Sequence, residues 1–169
     1  MSTTLARALT VAAQRAAGAE AVADGDRRFT YRDLEAQVNR LAAALARLGL
    51  AKGEHVLLLL KNRPEHVALY WACQKLGAIA TPLNWRSSEG EARFCAEDAE
   101  AVAVVFETAS AAAVLAARPA LPRVRHWIEV GAAPRPDTLA FATLVAGEGD
   151  PGPPAVARLP PRDDRLNGS

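Results

Sequence analysis

Two short, unbroken apolar runs constrain this 169-residue chain more than any other feature: residues 56–60 (VLLLL) and 102–106 (VAVVF). Neither run alternates apolar with polar residues, so neither belongs to a strand with one face in water. Continuous runs of this length read as strands covered on both faces, the kind found in parallel sheets. Helical periodicity follows each run, and strands alternate with helices over residues 54–130. This pattern predicts an α/β fold: a doubly wound subdomain with a parallel sheet and helices on both faces. An N-terminal helix and a short hairpin precede it.

The local signals support the same plan. Residues 4–17 have weakly amphipathic helical spacing and stop near Gly18. Ala21-Val22-Ala23, Asp24-Gly25-Asp26 and Phe29-Thr30-Tyr31 read as two short strands around a turn. Thr30 is placed to cap a helix, with Asp33 reaching back to it. Leu34, Val38, Leu41, Leu45 and Leu48 then form an apolar stripe, and Gly49 ends the helix. Asn62 as cap and Pro64 in the first turn open a second helix, which runs to Gly77. Ala78-Ile79-Ala80-Thr81 forms a small strand stopped by Pro82, and Ser87 or Ser88 caps a helix to about Ala96. An alanine-rich helix over 109–117, a strand over 124–130 and a short helix over 138–145 complete the series. Residues 1–146 thus read as one subdomain. The Gly/Pro-rich residues 147–169 read as a linker and an end segment. There is no internal repeat.

Several functions are disfavoured by what the chain carries. The formal net charge is +1 and the basic residues are scattered, so nucleic acid is not an expected partner. No apolar run approaches the ~18 residues of a membrane span. Gln14 and Arg15 interrupt the first apolar stretch too early for a signal peptide, so a cytoplasmic protein is expected. Cys73 and Cys95 have neither zinc-pair nor CxxC spacing and are expected to be buried free thiols. No GxxxxGK[ST] is present, and no GxGxxG follows a strand; Gly49 and Gly53 precede one. A GxSxG elbow is also absent. His55, His66 and His126 lack ligand spacing, and Glu89, Glu91, Glu97 and Asp98 read as solvated helix faces. No catalytic residue and no metal ligand is therefore assigned.

One loop stands apart: Thr81-Pro82-Leu83-Asn84-Trp85-Arg86-Ser87-Ser88. Open α/β sheets bind ligands beyond the carboxyl ends of their strands. The planar fork of Arg86 suits a phosphate there. On the plainer reading, Asn84 closes a turn, Trp85 packs on the sheet edge and Arg86 is merely exposed. The residues alone leave both readings open.

Three stretches, in order, carry a resemblance. The first is FTYRDLEAQVNRLAAALARLGLAKGEHV, an F-T-Y-x-x-L … G-x-x-x-G-D-x-V pattern with Glu54 at the usual aspartate. The second is KNRPEHVALYWACQKLGAIATPLNWR, which keeps an asparagine, a later G-A and a P-L-N-x-R. The third is SSEGEARFCAEDAEAVAVVFE, with Ser87 and Ala92 where leucines are common. Together, over residues 29–107, they resemble the N-terminal part of acyl-CoA synthetases, AMP-forming acid–CoA ligases of the adenylate-forming superfamily. The resemblance implies that the full-length parent activates a fatty or aromatic carboxylic acid with ATP and Mg²⁺ and passes the acyl group to coenzyme A. It also implies that Arg86 matches an arginine near the coenzyme A phosphates, and that Asn84, Gly77 and Pro82 shape the strand and turn beneath.

The family pattern continues past Asp163-Asp164-Arg165 with a strand and a Ser/Thr/Gly-rich phosphate loop, whereas this chain reads Leu166-Asn167-Gly168-Ser169 and stops. The expectation is a truncated ligase fragment, inactive alone, that binds no cofactor itself. The alternative is a non-catalytic interaction or assembly module, which self-associates or pairs with a chain carrying the remainder.

Overall fold

The computed structural model describes residues 5–146. The expected linker over 147–169, including Asp163 to Arg165, lies outside the described residues. Helix α1 (Leu5–Arg15) leads into the hairpin strands β1 (Glu20–Asp24) and β2 (Arg27–Thr30). Asp24 pairs with Arg27, so a two-residue turn joins the strands, and Gly25 takes the left-handed φ of 57° that this turn needs. Helix α2 (Tyr31–Arg47) starts with the anticipated capping box. The Asp33 N–H donates to Thr30 Oγ1 at 3.2 Å, and the Thr30 N–H donates to Asp33 Oδ2 at 2.9 Å. The hydrogen bonds from Thr30 hold the Asp33 carboxyl below its ordinary pKa.

The α/β series follows: β3 (His55–Leu59), α3 (Pro64–Leu76), β4 (Ile79–Pro82), α4 (Glu89–Asp98), β5 (Ala103–Glu107), α5 (Ala111–Ala117), β6 (His126–Val130), β7 (Leu139–Ala140) and α6 (Phe141–Val145). The last five strands form one sheet in the order β4-β3-β5-β6-β7, and every neighbouring pair is parallel. The doubly wound α/β fold is thus the one observed.

The two apolar runs place side chains alternately on two cores. Val56, Leu58 and Leu60 of the first run face Val105, Ile128, Leu41, Leu45 and Leu69 in a core closed by α1, α2, α3 and α6. Leu57 and Leu59 face Val104, Phe106, Ala92, Ala96 and Val114 in a second core under α4 and α5. Burying each such side chain contributes roughly 1.5–3 kcal/mol, so losing either face exposes a row of leucines. This two-sided demand is the reason the run shows no alternation.

Several boundaries differ from expectation. The cap of α3 is Arg63, not Asn62, and no side-chain hydrogen bond is made there, because a guanidinium has only donors and cannot accept from the free N–H groups of the first turn; its donors go to two carboxylates instead. Pro64 does occupy the first turn. Of the two serines expected to cap α4, Ser88 is the one that does, with Glu91 closing the box and held below its usual carboxylate pKa by the Ser88 N–H and hydroxyl. Residues 139–140 form strand β7 rather than helix, because they pair with Ile128 and Glu129; a two-residue strand has no periodicity to read. Cys73 is buried, and burial pushes its thiol pKa up to about 12, whereas Cys95 is only half-buried on α4.

Candidate functional site

The direction of winding reverses between β3 and β5. The chain leaves β3 for β4 on one side, then crosses back to β5 on the other. Crevices at such a reversal, beyond the carboxyl ends of the strands, are the usual ligand positions in open α/β sheets. Lys61, Arg63 and Glu107 stand at this point, immediately after β3 and at the end of β5.

They form a connected polar array. Arg63 Nη1 donates to Glu107 Oε2 at 2.9 Å, and Arg63 Nε donates to Glu65 Oε2 at 2.8 Å. Arg27 Nη2, from the hairpin, donates to Glu65 Oε1 at 2.8 Å. The Lys61 N–H donates to Glu107 Oε1 at 2.5 Å. Ser110 Oγ ties the ends of β3 and β5 together, donating to Leu59 O at 2.7 Å and accepting from the Glu107 N–H at 3.2 Å. Glu65 and Glu107 are both buried, so their charges require these partners. Burial alone would raise the Glu65 pKa, but the hydrogen bonds from Arg27 and Arg63 outweigh it and hold the carboxyl below its ordinary value. For Arg63, burial opposes the charge, while Glu65 and Glu107 more than offset it and the pKa rises.

The Thr81–Ser88 loop lies beside this array. The Leu83 N–H donates to Leu58 O at 2.9 Å, extending the β3–β4 ladder by one bond. Asn84 closes the turn that follows: its Oδ1 accepts from the Arg86 N–H at 2.9 Å, and its carbonyl accepts from the Ser87 N–H at 2.9 Å. The Arg86 guanidinium carbon sits 3.9 Å from the Trp85 ring centroid, and Lys61 Nζ sits 4.7 Å from the same centroid. A cleft of about 450 Å³ opens on the other side of Arg63, between the hairpin and the start of α3, lined by Val22, Asn62, His66 and Tyr70 among others.

A model of the family described as "AMP-binding enzyme" matches residues 9–165. The chain belongs to the AMP-binding enzyme family. It is 39 % identical over 93 residues to the long-chain-fatty-acid–CoA ligase FadD13 of Mycobacterium tuberculosis, a match spanning 55 % of this chain and 18 % of that protein. It is 32 % identical over 139 residues to the 4-hydroxybenzoate–CoA/benzoate–CoA ligase of Rhodopseudomonas palustris, spanning 82 % of this chain and 26 % of that one. The inhibitor-bound N-terminal domain of FACL13 from Mycobacterium tuberculosis superposes with a TM-score of 0.81 at 29 % identity, covering 92 % of this chain and 38 % of that domain. The chain therefore corresponds to the N-terminal part of adenylate-forming CoA ligases, and these matches take in only 18 and 26 % of the length of the two curated relatives.

Within this family framework, Arg86 is exposed, in a loop at the carboxyl end of the sheet. Asn84 closes a turn and Arg86 faces outward, as the plainer reading of the loop expects. Gly77 ends α3 at φ 73°, and a Cβ there would meet Lys52 Cγ at 3.0 Å, so both backbone and space call for glycine. His55 Nδ1 lies 2.9 Å from Thr81 Oγ1, tying two strands rather than offering a ligand. Sequence reasoning missed Lys61, Glu65 and Glu107. Glu107 ends an apolar run and Glu65 follows a proline, and a charge forced into such a position is the one signal that pointed to them. Among the described residues, no three His, Cys, Asp or Glu side chains converge as a metal would require. No helix there is long and apolar enough to cross a membrane.

Proposed function

We propose that this chain supplies the N-terminal part of the large domain of an AMP-forming acid–CoA ligase that activates a fatty or aromatic acid. In the complete enzyme, ATP, Mg²⁺, the acid and coenzyme A are the reactants, and this part contributes scaffold and one edge of the coenzyme A site. The observation that carries the reading is the family match over residues 9–165, with acid–CoA ligases as the relatives. Arg86 is the proposed contact to a coenzyme A phosphate. Its exposure and its place beyond the strand ends support that role. In this reading the segment binds and positions, and the remainder of the enzyme performs adenylation.

Two measurements test this. ATP–pyrophosphate exchange by the chain alone, with fatty and aromatic acids, is expected to stay at background. Replacing the matching segment of the Mycobacterium tuberculosis fatty-acid–CoA ligase with residues 5–146 is expected to keep acid-dependent ligation to coenzyme A. Exchange above background would overturn the passive role, and a folded but inactive chimaera would overturn the ligase assignment.

A further inference from the structure

Helix α6 returns the chain to the hairpin side of α2, and a groove of about 480 Å³ opens where β2, α2 and α6 meet. It is lined by Arg28, Phe29, Asp33, Gln37, Arg40 and Val145 among others. Two of its polar groups are incomplete. Gln37 Oε1 is buried and accepts no hydrogen bond among the described residues. Arg40, three positions further along α2, donates through Nε to the Val145 carbonyl at 2.9 Å. Its guanidinium pairs with no acid among the described residues. Arg28 already holds Glu20, and Asp33, the acid in the lining, has its Oδ2 taken by Thr30. What the groove lacks is therefore a carboxylate for Arg40 and an N–H donor for Gln37. An acidic residue within a peptide carries both. The chain itself supplies one: residues 147–150, outside the described residues, read GEGD and follow α6 directly. Val145 forms part of the groove wall, and Glu148 comes three positions later, a reach of about 10 Å for extended chain.

We propose that this groove is the docking site of the chain's own acidic segment around Glu148, which straps α6 to α2. The Glu148 carboxylate takes the Nη groups of Arg40, and a neighbouring backbone N–H donates to Gln37 Oε1. Gly147 and Gly149 have no Cβ, so the backbone there approaches the surface of α2 closely. Asp150 adds a second negative charge opposite a lining that holds two arginines and one aspartate. The strap sets the direction in which the chain leaves α6, which a Gly/Pro-rich composition does not set by itself. An acidic peptide from elsewhere competes with a segment already tethered beside the groove, at an effective concentration on the order of millimolar. The proposal goes beyond the ligase reading and does not depend on it, since the test uses no ligase substrate.

The test follows the Arg40 Nε–H and Gln37 side-chain amide resonances of the full 169-residue chain. Glu148→Gln is expected to shift both, whereas Glu97→Gln, on the far side of the sheet, leaves them in place. Added salt moves the wild-type resonances toward the Glu148→Gln positions. The synthetic peptide GEGDPG, the sequence of residues 147–152, is then titrated into the chain. It is expected to bind Glu148→Gln/Asp150→Asn about fivefold more tightly than wild type, whose own segment competes for the groove. Adding Gln37→Leu to that double variant weakens the peptide about fivefold, as loss of one hydrogen bond does, and the neutral peptide GQGNPG does not bind. Unmoved resonances in Glu148→Gln overturn the strap. Equal binding of GEGDPG to wild type and double variant also overturns it, and shows a groove for acidic peptides from elsewhere. Binding of GQGNPG as tight as that of GEGDPG overturns the Arg40 pairing, and absence of binding to the double variant overturns the site.

Discussion

Two polar clusters interrupt this apolar fold, and they are built in opposite ways. Between α1, α2 and α3, Lys75 is enclosed: its Nζ donates to Glu35 Oε1 at 2.6 Å, to Asn39 Oδ1 at 2.5 Å and to Thr10 Oγ1 at 3.3 Å. Its side chain is 2 % exposed. Every donor of that ammonium is spent inside the protein, and nothing is left to meet a ligand. At the strand ends, the buried acids Glu65 and Glu107 are likewise satisfied internally, but the cluster extends outward to Lys61 and Arg86, whose charges meet no acid among the described residues. The first cluster holds three helices in register. The second uses the same kind of internal pairing to hold a surface that is electrostatically incomplete. A buried charge by itself does not mark a site; a pinned charge left without its partner does.

The contrast breaks most visibly at Lys75. Lys75→Met fits the space roughly but leaves Glu35 with a half-buried, uncompensated charge; Glu35 Oε2 already has no partner among the described residues. Removing one member of a buried pair costs about 3 kcal/mol or more. Urea denaturation should show a loss of that size, with much of it recovered in Lys75→Met/Glu35→Leu, where neither charge remains. A loss under 1 kcal/mol would mean that the enclosed cluster contributes little to helix register.

How much of this was visible in the sequence differs between the clusters. The sheet was legible because runs 56–60 and 102–106 had to be covered on both sides, and the capping boxes at Thr30 and Ser88 set helix starts through local chemistry alone. Lys75 was not legible. It sits on a helix whose other face is apolar, and only the distant Glu35 and Asn39 show that it points inward. Glu65 and Glu107 lie 42 positions apart and are joined solely through Arg63, a contact that exists only once β3 and β5 are paired. Arg86 could be singled out because its loop motif is contiguous. Lys61 could not, because its relation to Trp85 spans two strand-end loops. Local signals survive in sequence, and pairings across strands do not.

Glu65 gives the intermediate effect, read through pH. Its pKa in the folded chain is lower than in the unfolded one, so its stabilising contribution is present above the unfolded value of about 4.3 and is lost as pH falls through the folded value. Glu65→Gln should therefore cost about 1–2 kcal/mol at pH 7 and flatten the stability profile below about pH 4. Lys75→Met tests an enclosed charge, and this variant tests the internal half of the strand-end cluster. An unchanged acid limb, measured by denaturation from pH 3 to pH 7, would show that Arg27 and Arg63 do not bind the carboxylate as the geometry indicates.

The smallest change is expected at the exposed half. Lys61 and Arg86 are both exposed, and a cation–π contact at such a site contributes about 0.5–1 kcal/mol. Both cations lie against the same ring, so removing either one forfeits a ring contact and relieves any repulsion between them. Lys61→Met or Arg86→Met alone should therefore change stability by less than about 0.5 kcal/mol. The second substitution loses its ring contact with no repulsion left to relieve. The double variant should then be less stable than the two singles predict, and the discrepancy should shrink as salt screens the charges. If the two effects simply add, in low salt as in high, the cations do not sense each other, and the strand-end cluster would be as closed as the one around Lys75.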